Sequence, residues 1–82
     1  PRNFQGTLKS LSGTSLPVTA VITISGKDYT AYLPEKTAVM SRNKAKANLT
    51  RFVSGDTVRV YGTIRPTDLL SIDAEVIRDL NF

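Results

Sequence analysis

Between Leu16 and Ser25 the apolar residues Leu16, Val18, Ala20, Ile22 and Ile24 alternate with Pro17, Thr19, Val21, Thr23 and Ser25. A period of two belongs to a strand with one face in the core, so this run predicts a strand with Pro17 confined to its start. Ser25-Gly26-Lys27-Asp28 has hairpin-turn chemistry. Alternation resumes at Tyr29, Ala31 and Leu33, against Thr30 and Tyr32, until Pro34 stops it. Upstream, Phe4, Gly6 and Leu8 share a face while Thr7 and Lys9 point away, which predicts a first strand over Phe4 to Leu11. Gly6 within it marks the expected bulge or bend, and Ser12-Gly13-Thr14 is the turn that follows.

Downstream of the Gly55-Asp56 turn, Val58, Val60, Gly62 and Ile64 face one way and Arg59, Tyr61, Thr63 and Arg65 the other, predicting a fourth principal strand with a basic and aromatic outer face. After Pro66-Thr67-Asp68, Leu70, Ile72, Ala74 and Val76 alternate with Ser71, Asp73 and Glu75 in a fifth, and Ile77, Leu80 and Phe82 pack as the chain leaves the sheet. Thr37 to Met40 suits a short extension of the sheet. From Ser41 to Phe52 alternation breaks, and Ala45, Leu49 and Phe52 recur at helical spacing, so a short helical connection is expected between strands three and four. A bulged first strand, a hairpin pair, a helical connection and two further strands fit a small all-β, five-stranded Greek-key OB-like barrel, in which closure removes the exposed edges. An SH3-like barrel or an open β-sandwich is the alternative.

Length keeps this to a single OB-like β-barrel domain over residues 1–82. A chain of that size buries only about 60% of its unfolded surface and has no room for a second core. No repeat or low-complexity tract suggests another unit, and no apolar run approaches the ~18 residues of a membrane helix, so no membrane span is expected. The chain contains no histidine and no cysteine. Histidine-based general-base chemistry, Ser–His and Cys–His nucleophile pairs, disulfides and ordinary structural zinc sites are therefore excluded. No metal, cofactor or catalytic residue is expected, although the lack of cysteine leaves the compartment open.

Eleven Lys and Arg against seven Asp and Glu give a net charge of +4, which favours anionic partners. Arg59, Tyr61 and Arg65, with Lys9 and Tyr32 as neighbours on the same face, combine cations with rings. Single-stranded nucleic-acid binders use that combination, cations tracking phosphates while bases stack on the rings. Arg42, Lys44, Lys46 and Arg51 form a second basic group, with no acidic residue between Arg42 and Arg51, on the connection after the third strand. Asp73 and Glu75 lie two apart on one strand, about 6.5–7 Å along it, a spacing that overlaps paired-carboxylate acid–base sites. So small a barrel offers them little cleft, and charges there also guard a sheet edge. Asn48-Leu49-Thr50 matches a glycosylation acceptor triplet, yet Leu49 reads as a packing residue.

The stretches Gly55-Asp56-Thr57-Val58-Arg59-Val60-Tyr61-Gly62-Thr63 and Ile72-Asp73-Ala74-Glu75-Val76-Ile77-Arg78-Asp79-Leu80 resemble an OB-like domain-of-unknown-function family found mostly in exported bacterial proteins. Ser15-Leu16-Pro17, Gly26-Lys27-Asp28-Tyr29-Thr30, and Thr37 followed by Arg42-Asn43 and Leu49 carry the same likeness along nearly the whole chain. The resemblance implies a fold and an exported, extracytoplasmic precursor, and no catalytic residues. No leader is expected within residues 1–82, as a processed chain would have lost one. The expected function is a non-enzymatic binding module acting on a protein or an envelope or extracellular partner, by strand-face or loop recognition or by addition of a strand at an imperfectly closed barrel edge, with the chain ends Pro1-Arg2-Asn3 and Leu80-Asn81-Phe82 available to such assembly and self-association left open. The alternative is a single-stranded DNA- or RNA-binding domain using the basic-aromatic sheet face.

Overall fold

In the computed structural model, which describes residues 1–82, the alternating runs become β1 (Arg2–Leu11), β2 (Val18–Ile24), β3 (Lys27–Leu33), β4 (Ala38–Met40), β5 (Thr57–Arg65) and β6 (Asp68–Asp79). β1 pairs antiparallel with β2 and β5, β2 with β3, and β5 with β6. A parallel contact between β3 and β6, with Thr30 opposite Ser71 and Tyr32 opposite Asp73, closes these five strands into a mixed barrel. β4 lies outside the closure, parallel to the far end of β6. No helix is long and apolar enough to cross a membrane.

The barrel is filled by the inward row of each strand: Leu8, Ala20 and Ile22, Ala31 and Leu33, Val58 and Val60, then Ile72, Ala74 and Ile77. Leu49 and Phe52 plug one end, and Phe82 meets Phe52 edge-on with ring centroids 5.8 Å apart. Burying such side chains contributes about 1.5–3 kcal/mol each, which is the principal force holding the closure.

Three local features differ from the sequence pattern. The irregularity of β1 falls at Lys9 rather than Gly6, because Leu8 pairs with Ile22 while Ser10 pairs with Val21, leaving Lys9 as the extra residue. Gly6 serves a close approach instead: a Cβ there would lie 2.4 Å from the carbonyl oxygen of Thr23. In β6, Gly62 faces Ala74 and Tyr61 faces Val76, so Glu75 is the extra residue and the alternation changes phase. Ile77 and Asp79 take the core positions that simple alternation gives to Val76, and Val76 and Arg78 turn outward. A second shift, between Ile64 and Arg65, loops Leu69 to Ser71 out of register. Leu70 is consequently exposed, while Ser71 is buried with its hydroxyl donating to Asp68 Oδ2 at 2.6 Å.

The expected helical connection contains only β4 and one three-residue 3-10 turn, Leu49–Arg51. Ala45 is not on a helix. Lys44 takes a left-handed φ of 65°, which breaks any helical run, and the backbone closes locally by Lys44 N–H to the Ser41 carbonyl and Ser41 N–H to the Ala45 carbonyl. Leu49 and Phe52 keep their spacing because both point into the core.

Candidate functional site

The strand register writes two rows across β1, β5, β6 and β4. Gln5 stands opposite Arg59, Arg59 opposite Arg78, and Arg78 opposite Met40. In the adjacent row Asn3 stands opposite Tyr61, Tyr61 opposite Val76, and Val76 opposite Ala38. Of these, Asn3, Met40, Arg59, Tyr61, Val76 and Arg78, with Lys44 from its loop, line a cleft of about 270 Å³. Tyr61 is 37% exposed there.

The two guanidinium groups are anchored by neutral acceptors. Arg59 donates from Nε and Nη2 to Gln5 Oε1, at 3.1 and 2.6 Å. Arg78 Nη1 donates to the carbonyl oxygen of Arg42 at 3.2 Å. No carboxylate lines the cleft, so the side chains are oriented while their charges stay uncompensated. Like charges directly opposite on neighbouring strands oppose folding, and holding Lys44 in the left-handed region costs about 1 kcal/mol more. An arrangement that stores unfavourable terms in this way is suited to an anion.

The other basic and aromatic candidates are separated from this cleft. Arg65 forms a bidentate pair with Asp73, Nη2 to Oδ1 at 2.8 Å, and its guanidinium lies 3.9 Å from the centroid of the Tyr32 ring. The Arg65 hydrogen bond holds the Asp73 carboxyl below the ordinary carboxylate range, and that pairing takes both Arg65 and Asp73 out of the pool of free charge. Lys9 is bonded to Asp28 at 2.6 Å, which together with Thr23 lowers the Asp28 pKa. Arg51 stacks 4.1 Å from the Phe82 ring centroid, and Lys46 lines a different groove beyond Met40. Arg42 contributes its backbone, donating from its N–H to the Phe82 carbonyl and accepting from Arg78.

Arg59 and Tyr61 from the sheet face thus share one cleft with Lys44 from the separate basic connection, whereas Lys9, Tyr32, Arg51 and Arg65 are each occupied elsewhere. Arg78 is the residue that alternation missed. Counted in phase from Ile72 it falls on the inner face, and only the extra residue at Glu75 turns it out beside Arg59.

A buried polar cluster lies at the same end of β6, where Asp79 follows Arg78 and closes the strand. Asp79 is fully buried, and its Oδ1 accepts from Asn81 N–H at 2.8 Å while Oδ2 has no donor. Burial first, and then the facing Asp56 carboxyl, push the Asp79 pKa up to about 6. Comparison of the chain with known protein families, with characterised proteins and with solved structures gave no match.

Proposed function

We propose that the protein is a non-enzymatic OB-like binding module that holds an anionic partner in the Arg59–Tyr61–Arg78–Lys44 cleft. The order β1-β2-β3-β6-β5, closed by a parallel β3–β6 contact with the longest connection between the third and fourth barrel strands, supports the Greek-key OB reading. One observation carries the functional reading: Arg59 and Arg78 face each other across strands, both oriented by neutral acceptors. The partner is a protein or an envelope polymer bearing carboxylates, sulfates or phosphates. The exported setting rests on the family resemblance of the Gly55–Thr63 and Ile72–Leu80 stretches, and recovery of the tagged natural protein in the cytoplasm alone would contradict it.

A second reading, single-stranded nucleic acid, is favoured by the exposed Tyr61 beside the cations. It is the weaker one, because OB barrels that bind oligonucleotides use the face of their second and third strands, and here Tyr32 on that face is covered by the neutralised Arg65. Titration with poly-glutamate, a sulfated oligosaccharide and oligo-dT separates the readings. Saturable, salt-sensitive binding of an acidic polymer, weakened at least about tenfold by Arg59→Ala/Tyr61→Ala, is expected. Binding of oligo-dT alone would transfer the site to the second reading, and indifference to all three would remove both.

A further inference from the structure

Beyond Met40 and Lys44, which belong to both, the cleft gives way to a larger groove of about 600 Å³ under the β4 connection. Leu16, Val39, Met40 and Ala47 make its apolar wall. Its polar members are Lys44 and Lys46, both exposed, with Glu35 and Thr37. A volume in the range of small-molecule sites, mostly apolar lining and a few placed polar groups are the usual attributes of a ligand pocket.

Thr37 supplies an independent observation. It is only 6% exposed, and its Oγ1 has no hydrogen-bond partner in the protein. A buried hydroxyl without a partner carries a desolvation cost, which a ligand acceptor relieves where its entry into the groove parts the side chains closed over Thr37. Lys44, at a φ of 65°, and Lys46, whose backbone bridges to Met40, add two cations to the lining against the single carboxylate of Glu35. Charge and shape therefore select the same class of molecule.

We propose that this groove binds a free single-chain amphipathic carboxylate, its alkyl chain against Leu16, Val39, Met40 and Ala47 and its carboxylate among Lys44, Lys46 and the Thr37 hydroxyl. The groove is distinct from the Arg59–Arg78 cleft, and the two share only Lys44 and Met40. The inference stands whether or not an anionic polymer uses the cleft, and Arg59→Ala/Tyr61→Ala is expected to leave it intact.

The test is an amide chemical-shift titration of the full chain with dodecanoate, below its micelle concentration, with dodecyltrimethylammonium and acetate as probes of head charge and chain. Saturable shifts confined to Leu16, Thr37–Met40 and Lys44–Ala47 are expected with dodecanoate, and none with acetate. Lys44→Ala/Lys46→Ala should weaken binding about tenfold or more. Thr37→Val should weaken it severalfold without lowering Tm, since it removes an unpaired buried hydroxyl and nothing bonded to it. Equal binding of the cationic amphiphile, shifts centred on the exposed Leu69 and Leu70, or a response only to anionic phospholipid vesicles would each overturn the proposal.

Discussion

Gly62 shows how one missing side chain sets the site. A Cβ at this position would lie 2.3 Å from the Asp73 carbonyl oxygen, a backbone atom that cannot step aside. The close approach belongs to the irregularity that makes Glu75 the extra residue and turns Arg78 outward. Gly62→Ala is therefore expected to destabilise the fold by about 1–3 kcal/mol and to weaken binding of an acidic polymer, read as a fall in Tm and in affinity together. Asp79 makes a different prediction. Its pKa of about 6 in the folded protein lies above the ~3.9 of an unfolded aspartate, so the folded state holds the extra proton. The stabilisation from that proton is complete below about pH 4 and is lost as pH rises through about 6. Asp28, Asp68 and Asp73 are shifted the other way, by Lys9, by Ser71 and the Leu70 N–H, and by Arg65, so their contributions decline only in more acidic solution. Tm should rise between about pH 7.5 and pH 5, and Asp79→Asn should flatten that rise. A slope unchanged in Asp79→Asn would assign the proton elsewhere.

At the scale of elements, β2 and β3 were legible because alternation, a hairpin turn and two prolines agree there, and no extra residue disturbs the register from Val18–Leu33 to Ile24–Lys27. β5 was legible for the same reason, which is why Arg59 and Tyr61 stood out. β6 was legible only from Ile72 to Ala74: period-two reading assumes one residue per position, and the shift that turns Leu70 outward and the extra residue at Glu75 both break that assumption, the latter with no glycine or proline in β6 itself to announce it. The connection after β4 was misleading in another way. Leu49 and Phe52 sit three apart because a 3-10 turn presents both to the core, and the same spacing mimics a longer helix. That turn is capped by Asn48, whose Oδ1 accepts from Thr50 N–H at 3.0 Å. Asn48→Ala should cost about 1 kcal/mol, seen as a lowered denaturation midpoint with an unchanged m-value. An m-value that falls with it would mean that the plug formed by Leu49 and Phe52 has come loose.

For the whole molecule, closure joins residues far apart in sequence: β1 pairs with β5, and β3 with β6. The barrel has no free edge among its five principal strands, so the closure leaves no open strand there for another chain to extend. The net charge of +4 is unevenly committed. Lys9 and Arg65 are paired with carboxylates, while Arg59, Arg78 and Lys44 are gathered over one side without any. That unevenness, which depends on register and could not be read from composition, is the basis of the functional account. Its most direct test is the Arg78→Glu variant, with Tm and affinity for an acidic polymer measured on the same samples. The account predicts a Tm equal to or above that of the wild type, because a like-charged cross-strand pair becomes an opposite-charged one, together with a loss of affinity of about tenfold or more. Unchanged affinity, or a Tm that falls along with it, would contradict the claim that this cleft holds its charges for a partner.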